Sequence, residues 1–432
     1  MGNQAAAMKN FPYEIGEPYA ETPLWRLHHG TKKNSHERVT IFACDLSPQS
    51  GITTQKLDLV RTSFKRMKTI RHPNFIKYLD GVELPTHIYV VTQFVQLLSH
   101  ELESLNNDHM NSSMSHSGDS GGDNKRGYQE SISWGLFQVI SALEFLHSRR
   151  MYHCNISMQS IFVDESGDWK IGELGFLSDI GVNGSGSTTN NGIDENNHGG
   201  GGGGAIQHDF AVRVHQMFLT QRYKAPELVS QRWDLVEKYA DRLDSWGIAC
   251  LIYEVFHYAQ QQQKLQNQQR QYAFSSASDL RLCANNKVNL AQLPKVIQSS
   301  FLQLLVDDPS VRASLSDFMQ QSSMYFNNPM IKTQQFLDNL SLKDPVAIDS
   351  FLTQLPELLP SFPVKCCKYR MLPLLINAIK FGSSGSKAIT SIFMIGDMMR
   401  ASPQSLDSTV GDDDEFKTEF VPKILELFES TD

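Results

Sequence analysis

The chain has 432 residues, a formal net charge of −8 and a pI near 6.0. This length exceeds what one compact core holds, so we expect two or three domains. The acidic balance argues against general binding to nucleic acids or anionic membranes.

The six cysteines form neither a zinc-ligand spacing nor a disulfide framework. The N-terminus lacks the apolar segment of a signal peptide, and no apolar run approaches the ~18 residues needed to cross a bilayer. The composition therefore predicts a cytoplasmic protein.

Three segments have low complexity: 106–127 is rich in Asn, Ser and Gly, 183–204 contains a run of glycines, and 260–271 is almost entirely glutamine. Such compositions cannot bury enough apolar surface to offset the entropy of ordering. We therefore expect flexible insertions that interrupt otherwise structured blocks.

The block before the first insertion is predicted to contain strands and one helix. Apolar, β-branched runs at 39–44 and 88–92 indicate strands. Between them, 56–70 has the spacing of an amphipathic helix. The His-Pro-Asn sequence at 72–74 ends that helix.

After the first insertion the pattern becomes helical. An amphipathic helix is predicted from Ser131 to His147, followed by short strands at 160–163 and 169–171. Lys170 is expected to face solvent on the second of these strands. Helices return from Asp241 onward.

Three similar pentamers lie beyond about Pro329, at 355–359, 372–376 and 421–425, each with proline at its second position. The last two prolines are 49 residues apart (422 − 373), near the ~40–47 residues of a HEAT-type repeat. Because proline fits the first turn of a helix, each pentamer is predicted to open one. The alternative is chance recurrence in a leucine-rich helical region.

Residues 152–156, Tyr-His-Cys-Asn-Ile, lie between an amphipathic helix and two short strands, where protein kinases place the catalytic loop H-R-D-x-x-x-x-N. With His153 aligned to the histidine, Asn155 stands at the base aspartate and Ser160 at the metal-binding asparagine. Glu173 then begins the segment that corresponds to D-F-G.

Further elements follow in kinase order. Ala-Pro-Glu at 225–227 matches the motif that closes the activation segment, and Asp-Pro-Ser-Val-Arg at 308–312 resembles an element of the last kinase helices. We predict a buried ion pair between Glu227 and Arg312. Together with 72–74 and a hinge-like run at 89–93, these matches predict an α+β, bilobal protein-kinase-like fold.

The predicted organisation has three parts. A flexible N-terminus (1–10) precedes the kinase-like domain (11–328), which is followed by an all-α, HEAT-type solenoid (329–432).

The residues that perform catalysis in kinases are replaced. Between residue 11 and Val39 the only glycines are Gly16 and Gly30, so there is no glycine-rich phosphate loop. Asp45 is placed at the phosphate-binding lysine and Ser63 near its glutamate partner. A one-residue slip of register is the alternative explanation at both of these positions.

Proton transfer and metal binding are affected in the same way. Asn155 cannot accept a proton, and general-base catalysis contributes ~10²–10⁴ in rate. Ser160 is a poor magnesium ligand, which leaves Glu173 as the one candidate to hold a cation. We therefore expect no catalytic residues, no cofactor and no enzymatic activity.

The chain resembles the Scyl family of pseudokinases, in segments that include 11–14, 25–28, 64–74, 132–136 and 250–256. This resemblance implies a kinase-like domain followed by HEAT-type repeats. It also implies a role in trafficking at Golgi and ER–Golgi membranes, with coatomer and Arf-type GTPases as partners and peripheral membrane association through them. Some members of the family are linked instead to tRNA export.

Two departures from the family bear on these expectations. The sequence ends without a capping repeat or the basic tail that contacts coatomer in relatives, so the solenoid is expected to be truncated. Gly2 occupies a myristoylation position, but Ala6 stands where Ser or Thr is preferred. An ordinary N-terminus is the alternative.

Three functions remain open at this point. The first is an inactive scaffold in vesicle traffic. The second is an atypical serine/threonine kinase that uses Glu173 for metal and a relocated lysine such as Lys56 for phosphates. The third is a tRNA-export adaptor with a local basic patch from 32–33 and 65–68, for which a solvated helix face is the alternative.

Overall fold

A computed structural model describes residues 11–105, 121–179, 211–266, 273–381, 385–401 and 420–425 except 423. The predicted N-terminal segment with Gly2, and the whole of the predicted insertion 183–204, lie outside these residues.

The amino-terminal lobe is a five-stranded antiparallel sheet with one helix. Its strands, in the order β1-β2-β3-β5-β4, are β1 (Tyr13–Glu21), β2 (Arg26–Lys32), β3 (Arg38–Asp45), β4 (Tyr78–Glu83) and β5 (His87–Gln93). Helix α1 (Thr54–Thr69) begins where the Thr53 side chain accepts the N–H of Lys56, which satisfies one of the unpaired donors of the first turn. These bounds match the predicted strands and helix.

The two faces of the sheet carry different apolar clusters. Val39 and Ile41 pack in an outer cluster with Phe11 and Tyr13. Phe42 belongs to the main core, which continues into the second lobe. This division follows from the two-residue period of a strand.

The carboxy-terminal lobe is mainly helical. Strand β6 (Val95–Leu97) pairs with β8 (Ile161–Asp164), which pairs with β9 (Trp169–Ile171), and β7 (Met151–Tyr152) pairs with β10 (Ser178–Asp179). The helices are a helical segment at 98–105 (α2), α3 (Gly121–His147), α4 (Ala211–Val214), α5 (Pro226–Val229), α6 (Trp233–Lys238), α7 (Asp241–Gln266), α8 (Ala277–Asn285), α9 (Lys287–Leu290), α10 (Lys295–Leu304), α11 (Leu315–Gln321) and α12 (Ser323–Phe326). The two lobes form the predicted kinase-like arrangement.

Two predicted insertion boundaries need correction. Helix α3 begins at Gly121 and α7 continues to Gln266, so 121–127 and 260–266 are helical. Once the buried part of each helix is formed, every added residue gains a hydrogen bond without a new nucleation cost. The remaining parts of these two insertions, 106–120 and 267–271, lie outside the described residues.

The prediction for Lys170 is wrong. Its side chain is only 8% exposed, and Nζ donates to the carbonyl of Pro73 at 2.9 Å. The carboxylates of Asp164 and Asp168 lie 3.2 and 3.5 Å from Nζ. The alternating pattern of a short strand does not reveal that a second element covers its outer face.

The described part of the region beyond 328 is mainly helical: α13 (Pro329–Asp338), α14 (Pro345–Leu358), α15 (Val364–Cys366), a π-helical segment (Cys367–Met371), α16 (Leu372–Phe381) and α17 (Gly385–Ala401). Pro356 does not open a helix as predicted, since it lies near the end of α14, whose first turn instead holds Pro345. The HEAT-type repeat stays a prediction. None of the helices in the described part of the chain has the length and apolarity of a membrane span.

Candidate functional site

The loop that contains His153, Cys154 and Asn155 is held by one buried carboxylate. Asp244, in the first turn of α7, accepts the backbone N–H of His153 at 2.9 Å and that of Cys154 at 2.8 Å. His147 Nε2 lies 2.8 Å from the same carboxylate. Cys154 has a left-handed backbone with φ of 62°, which costs of order 1 kcal/mol or more outside glycine. The hydrogen bonds to Asp244 hold this conformation in place.

Asn155 and Ser160 are occupied by neighbouring backbone. Asn155 Oδ1 accepts the N–H of Thr220 at 3.2 Å. Ser160 Oγ accepts the N–H of Ser157 and donates to its carbonyl, both at 2.9 Å. An amide has no basic oxygen at neutral pH, so Asn155 positions the backbone at Thr220 and cannot remove a proton.

Glu173 is buried and contacts the turn between β1 and β2. It has a left-handed backbone with φ of 55°, is 2% exposed, and its Oε1 accepts the hydroxyl of Thr22 from the β1–β2 turn. Its Oε2 has no hydrogen-bond partner among the described residues. Burial raises the pKa of Glu173 to about 7, although the Thr22 hydrogen bond and the charge of Lys56 act in the lowering direction.

The β1–β2 turn also places apolar side chains between the lobes. Leu24 and Trp25 are 1% and 2% exposed. Trp25 meets Phe42 of β3 edge to face at 6.2 Å between ring centroids, and Phe42 lies 5.4 Å from Phe162 of β8. Three aromatic rings thus connect the turn, the sheet and the second lobe.

A glycine allows this turn to close on the helix. A Cβ at Gly175 would lie 2.8 Å from Leu24 Cδ1 and 2.8 Å from the carbonyl oxygen of Leu59 on α1. Both distances are shorter than the contacts that real Cβ atoms make, so any side chain at 175 would separate the turn from α1. The β1–β2 turn, α1 and the segment that contains Gly175 are therefore in close contact.

Comparison with known proteins agrees with this architecture. The Protein kinase domain family matches residues 30–324. The chain is 29% identical over its whole length to "Probable inactive serine/threonine-protein kinase scy1" of Dictyostelium discoideum. The chain belongs to the protein kinase family, in its Scyl branch of pseudokinases.

Other relatives show the same relationship over most of the pseudokinase. It is 24% identical over 382 residues, or 82% of the chain, to "Protein kinase-like protein SCY1" of Saccharomyces cerevisiae. It is 24% identical over 360 residues, also 82% of the chain, to "SCY1-like protein 2" of Homo sapiens. The matches cover 43%, 44% and 36% of the Dictyostelium, yeast and human proteins, so the chain spans less than half the length of these relatives.

The structure corrects the placement of Asp45 in the pseudokinase. Asp45 ends β3 with its side chain 49% exposed, and it accepts the N–H of Ser47 at 2.7 Å, which lowers its pKa. By strand alternation it lies on the same side of the sheet as Ile41 of the outer cluster. Phe42 lies on the opposite face of β3 and packs on Phe162 of the second lobe, on the side where a phosphate-binding lysine would be needed.

Ser63 lies on the buried face of α1, with Oγ 4.0 Å from Met67 Sδ. It offers no carboxylate to a lysine. Lys56, in the first turn of α1, acts on the pKa of Glu173. Within the described ranges, no group of three or more His, Cys, Asp or Glu side chains could hold a metal ion.

Glu227 and Arg312 lie in direct contact. Arg312 donates to both carboxylate oxygens of Glu227, at 2.7 and 2.8 Å, and the two side chains are at most 1% exposed. Arg312 also donates to the carbonyls of Val306, Arg242 and Asp307. The pair fixes the end of the activation segment against the last helices of the lobe.

Sequence reasoning missed the residues that close the cleft, namely Thr22, Leu24, Trp25 and Phe42, and also missed Asp244. An aspartate in the first turn of a helix whose middle, 247–256, is strongly apolar was an available signal for a buried carboxylate. No motif marks the closing residues, because they are recognised only by what they contact.

Proposed function

We propose that this chain is a catalytically inactive, kinase-like scaffold in membrane trafficking at the Golgi and the ER–Golgi boundary. The observation that carries the inactive part is the cleft, which is filled by the chain's own Leu24, Trp25 and Phe42. A nucleotide could bind only if these side chains left the cleft. It would then meet Phe42 at the position where kinases have the phosphate-binding lysine. Without phosphotransfer, the two lobes can act only through their surfaces.

The trafficking part rests on the resemblance to the Scyl family. The expected partners are coatomer and Arf-type GTPases, which would bring the chain to membranes. The names of the relatives compared above describe kinase likeness and inactivity, so the partners are inferred from the family resemblance alone.

Nucleotide binding is tested by thermal unfolding with ATP and magnesium. We expect the melting temperature to stay within about 1 °C at millimolar ATP, because a nucleotide that does not bind adds no stability. A ligand that binds only the folded state would add ~2.7 kcal/mol at 100 times its Kd. An active kinase measured in parallel is the control. A rise of several degrees, or autophosphorylation that Glu173→Ala abolishes, would instead favour the atypical kinase that uses Glu173 and Lys56.

The trafficking role is tested with purified components. Immobilised chain is incubated with purified coatomer, and separately with an Arf GTPase loaded with GTP or GDP. Saturable binding to either, absent with an active kinase domain as bait, supports the proposal. If neither binds, the trafficking role fails while the filled cleft is unaffected.

A second candidate, tRNA binding, has one observation in its favour. Arg66 Nη1 of α1 lies 4.0 Å from Met151 Sδ, which brings the basic end of α1 near Arg149 and Arg150. Both of these arginines are exposed, and neither forms an ion pair with a carboxylate among the described residues. A salt-dependent gel shift with tRNA, weakened by Arg149→Glu with Arg150→Glu, would support this function. No shift at low salt would exclude it.

A further inference from the structure

The segment 364–371 of the helical region contacts the carboxy-terminal lobe through two cations. Lys365 Nζ lies 2.9 Å from Oε2 of Glu101 in α2. Arg370 Nη1 bonds Oδ2 of Asp168, in the turn between β8 and β9. Glu101 and Asp168 are only 5% and 6% exposed. Each cation therefore meets a carboxylate that has little contact with water.

Both carboxylates are connected to the hinge between the lobes, residues 93–96, which joins the end of β5 to β6. Gln96 of β6 donates to the same oxygen of Glu101 at 2.8 Å. Gln93, at the end of β5, donates to Asp164 at 3.1 Å, and Lys170 Nζ lies between Asp164 and Asp168. The two routes thus run from one hinge glutamine each to one cation of the helical region.

The helical region supplies the second cation beside two largely buried carboxylates of the carboxy-terminal lobe. Asp164 and Asp168 are two largely buried carboxylates, whereas the lobes contribute one buried ammonium, Lys170. Burial acts to raise the pKa of Asp168, but Lys170 and Arg370 outweigh it and hold this pKa below its usual value. Without Arg370, two carboxylates would share a single cation.

Arg370 is also fixed by its surroundings. Its guanidinium carbon lies 5.1 Å from the ring centroid of Trp134, whose Nε1 donates to Asp168 at 2.9 Å. Its second donor group, Nη2, reaches Asp338 at 2.7 Å. Arg370 lies in the π-helical segment Cys367–Met371, an uncommon conformation that is frequent where a side chain has a special task.

We propose that 364–371 is an intramolecular brace that sets the orientation of the two lobes through the hinge. In active kinases the lobes are aligned by the nucleotide with its metal ions and by a lysine–glutamate pair. The pseudokinase has neither the lysine at Phe42 nor the glutamate at Ser63, and the brace takes over this alignment. The proposal does not depend on trafficking or on any partner.

The test is hydrogen exchange measured on the full chain. In Arg370→Met we expect backbone amides of 93–101 and 161–171 to exchange at least tenfold faster, with those of α10 (295–304) within twofold of the parent protein. Lys387→Met is the matched control, because Lys387 pairs with Asp349 at the surface of the same helical region and should leave all three segments unchanged.

A second variant separates the brace from the penalty of an unpaired charge. Asp168→Asn in the Arg370→Met background leaves Asp164 with Lys170, so overall stability should recover while exchange at 93–101 stays fast. Hinge exchange that returns to the parent rate in this double variant would overturn the proposal, as would an unchanged rate in Arg370→Met.

If Arg370→Met does not fold, Arg370→Lys supplies the measurement. It keeps the charge but loses the simultaneous contact with Asp168 and Asp338. We expect about threefold faster exchange, confined to 93–101 and 161–171. An equal increase along the whole chain would contradict the brace.

Discussion

At Glu173 a carboxylate is retained at a position where kinases hold metal, yet it is used differently. Its Oε1 accepts the Thr22 hydroxyl, and its second oxygen is buried without a partner among the described residues. A carboxylate that must lose water without gaining a cation is more stable in its protonated form. Glu173 therefore acts as a contact between the β1–β2 turn and the second lobe.

Glu173 should make stability depend on pH. Its pKa rises from 4.5 to about 7 on folding, so the folded state binds the extra proton between these values. The contribution of Glu173 to the free energy of unfolding is then fully present below pH 4.5. It is lost as the pH rises through about 7, which lowers the free energy of unfolding by about 3 kcal/mol. In Glu173→Gln, urea unfolding between pH 4.5 and 8 should lose this part of the pH dependence.

Glu14→Gln, an exposed change on β1, is the control for that measurement and should keep the pH dependence. If Glu173→Gln and the parent protein have parallel pH profiles, Glu173 is ionised in the folded state and the assignment is wrong.

Asn155 supports a second prediction at the residue scale. Restoring the kinase aspartate in Asn155→Asp should produce no phosphotransfer, because the cleft stays filled and Phe42 supplies no cation. Transfer from radiolabelled ATP to a generic substrate should remain at background. Measurable activity in this variant would show that the base was the only missing part.

At the scale of elements, the ion pair between Glu227 and Arg312 joins the activation segment to the last helices. Arg312→Ala would leave the buried Glu227 carboxylate without its cation and three carbonyls without a donor. The expected loss is ~3–5 kcal/mol in the free energy of unfolding, measured with urea. A loss below about 1 kcal/mol would show that water enters and replaces the guanidinium.

Arg213→Ala is the matched control, because Arg213 lies 3.9 Å from Glu237 with both side chains about half exposed. Exposed pairs contribute at most ~1 kcal/mol. The contrast tests whether burial or the mere presence of a pair determines the energy.

Elements were predicted from sequence where their pattern was local. The spacing at 56–70 and the apolar runs at 39–44 and 88–92 predicted α1, β3 and β5 within about two residues. The placement of Asp45 was wrong, since Asp45 lies three residues beyond Phe42 on β3. Because successive side chains of a strand point to opposite faces, a shift of three residues places the side chain on the wrong face of the sheet.

At the scale of the whole molecule, Lys365 and Arg370 form ion pairs across the predicted domain boundary at residue 328. Their partners, Glu101 and Asp168, lie before that boundary. A chain ending at 328 would leave Glu101 and Asp168 without these cations. We expect its free energy of unfolding to be lower than that of the full chain by several kcal/mol, so that it unfolds at a markedly lower urea concentration.

Adding Glu101→Gln and Asp168→Asn to the shortened chain should restore much of the loss. If the shortened chain instead unfolds like the full chain, the kinase-like domain is independent of the helical region. Far-UV circular dichroism of each variant checks that the comparison begins from folded protein.

The kinase-like fold, the loss of the base at Asn155 and the pairing of Glu227 with Arg312 all followed from sequence. They depend on short motifs with fixed neighbours, which a single sequence preserves. Only the folded chain revealed that Trp25 and Phe42 fill the cleft, that Glu173 bonds Thr22, and that Arg370 reaches Asp168. These contacts join residues that are far apart along the chain: Thr22 and Glu173 are separated by 151 residues, and Arg370 and Asp168 by 202. No local pattern records which distant side chains share a buried site, because burial and charge balance are set by all the elements that pack there together.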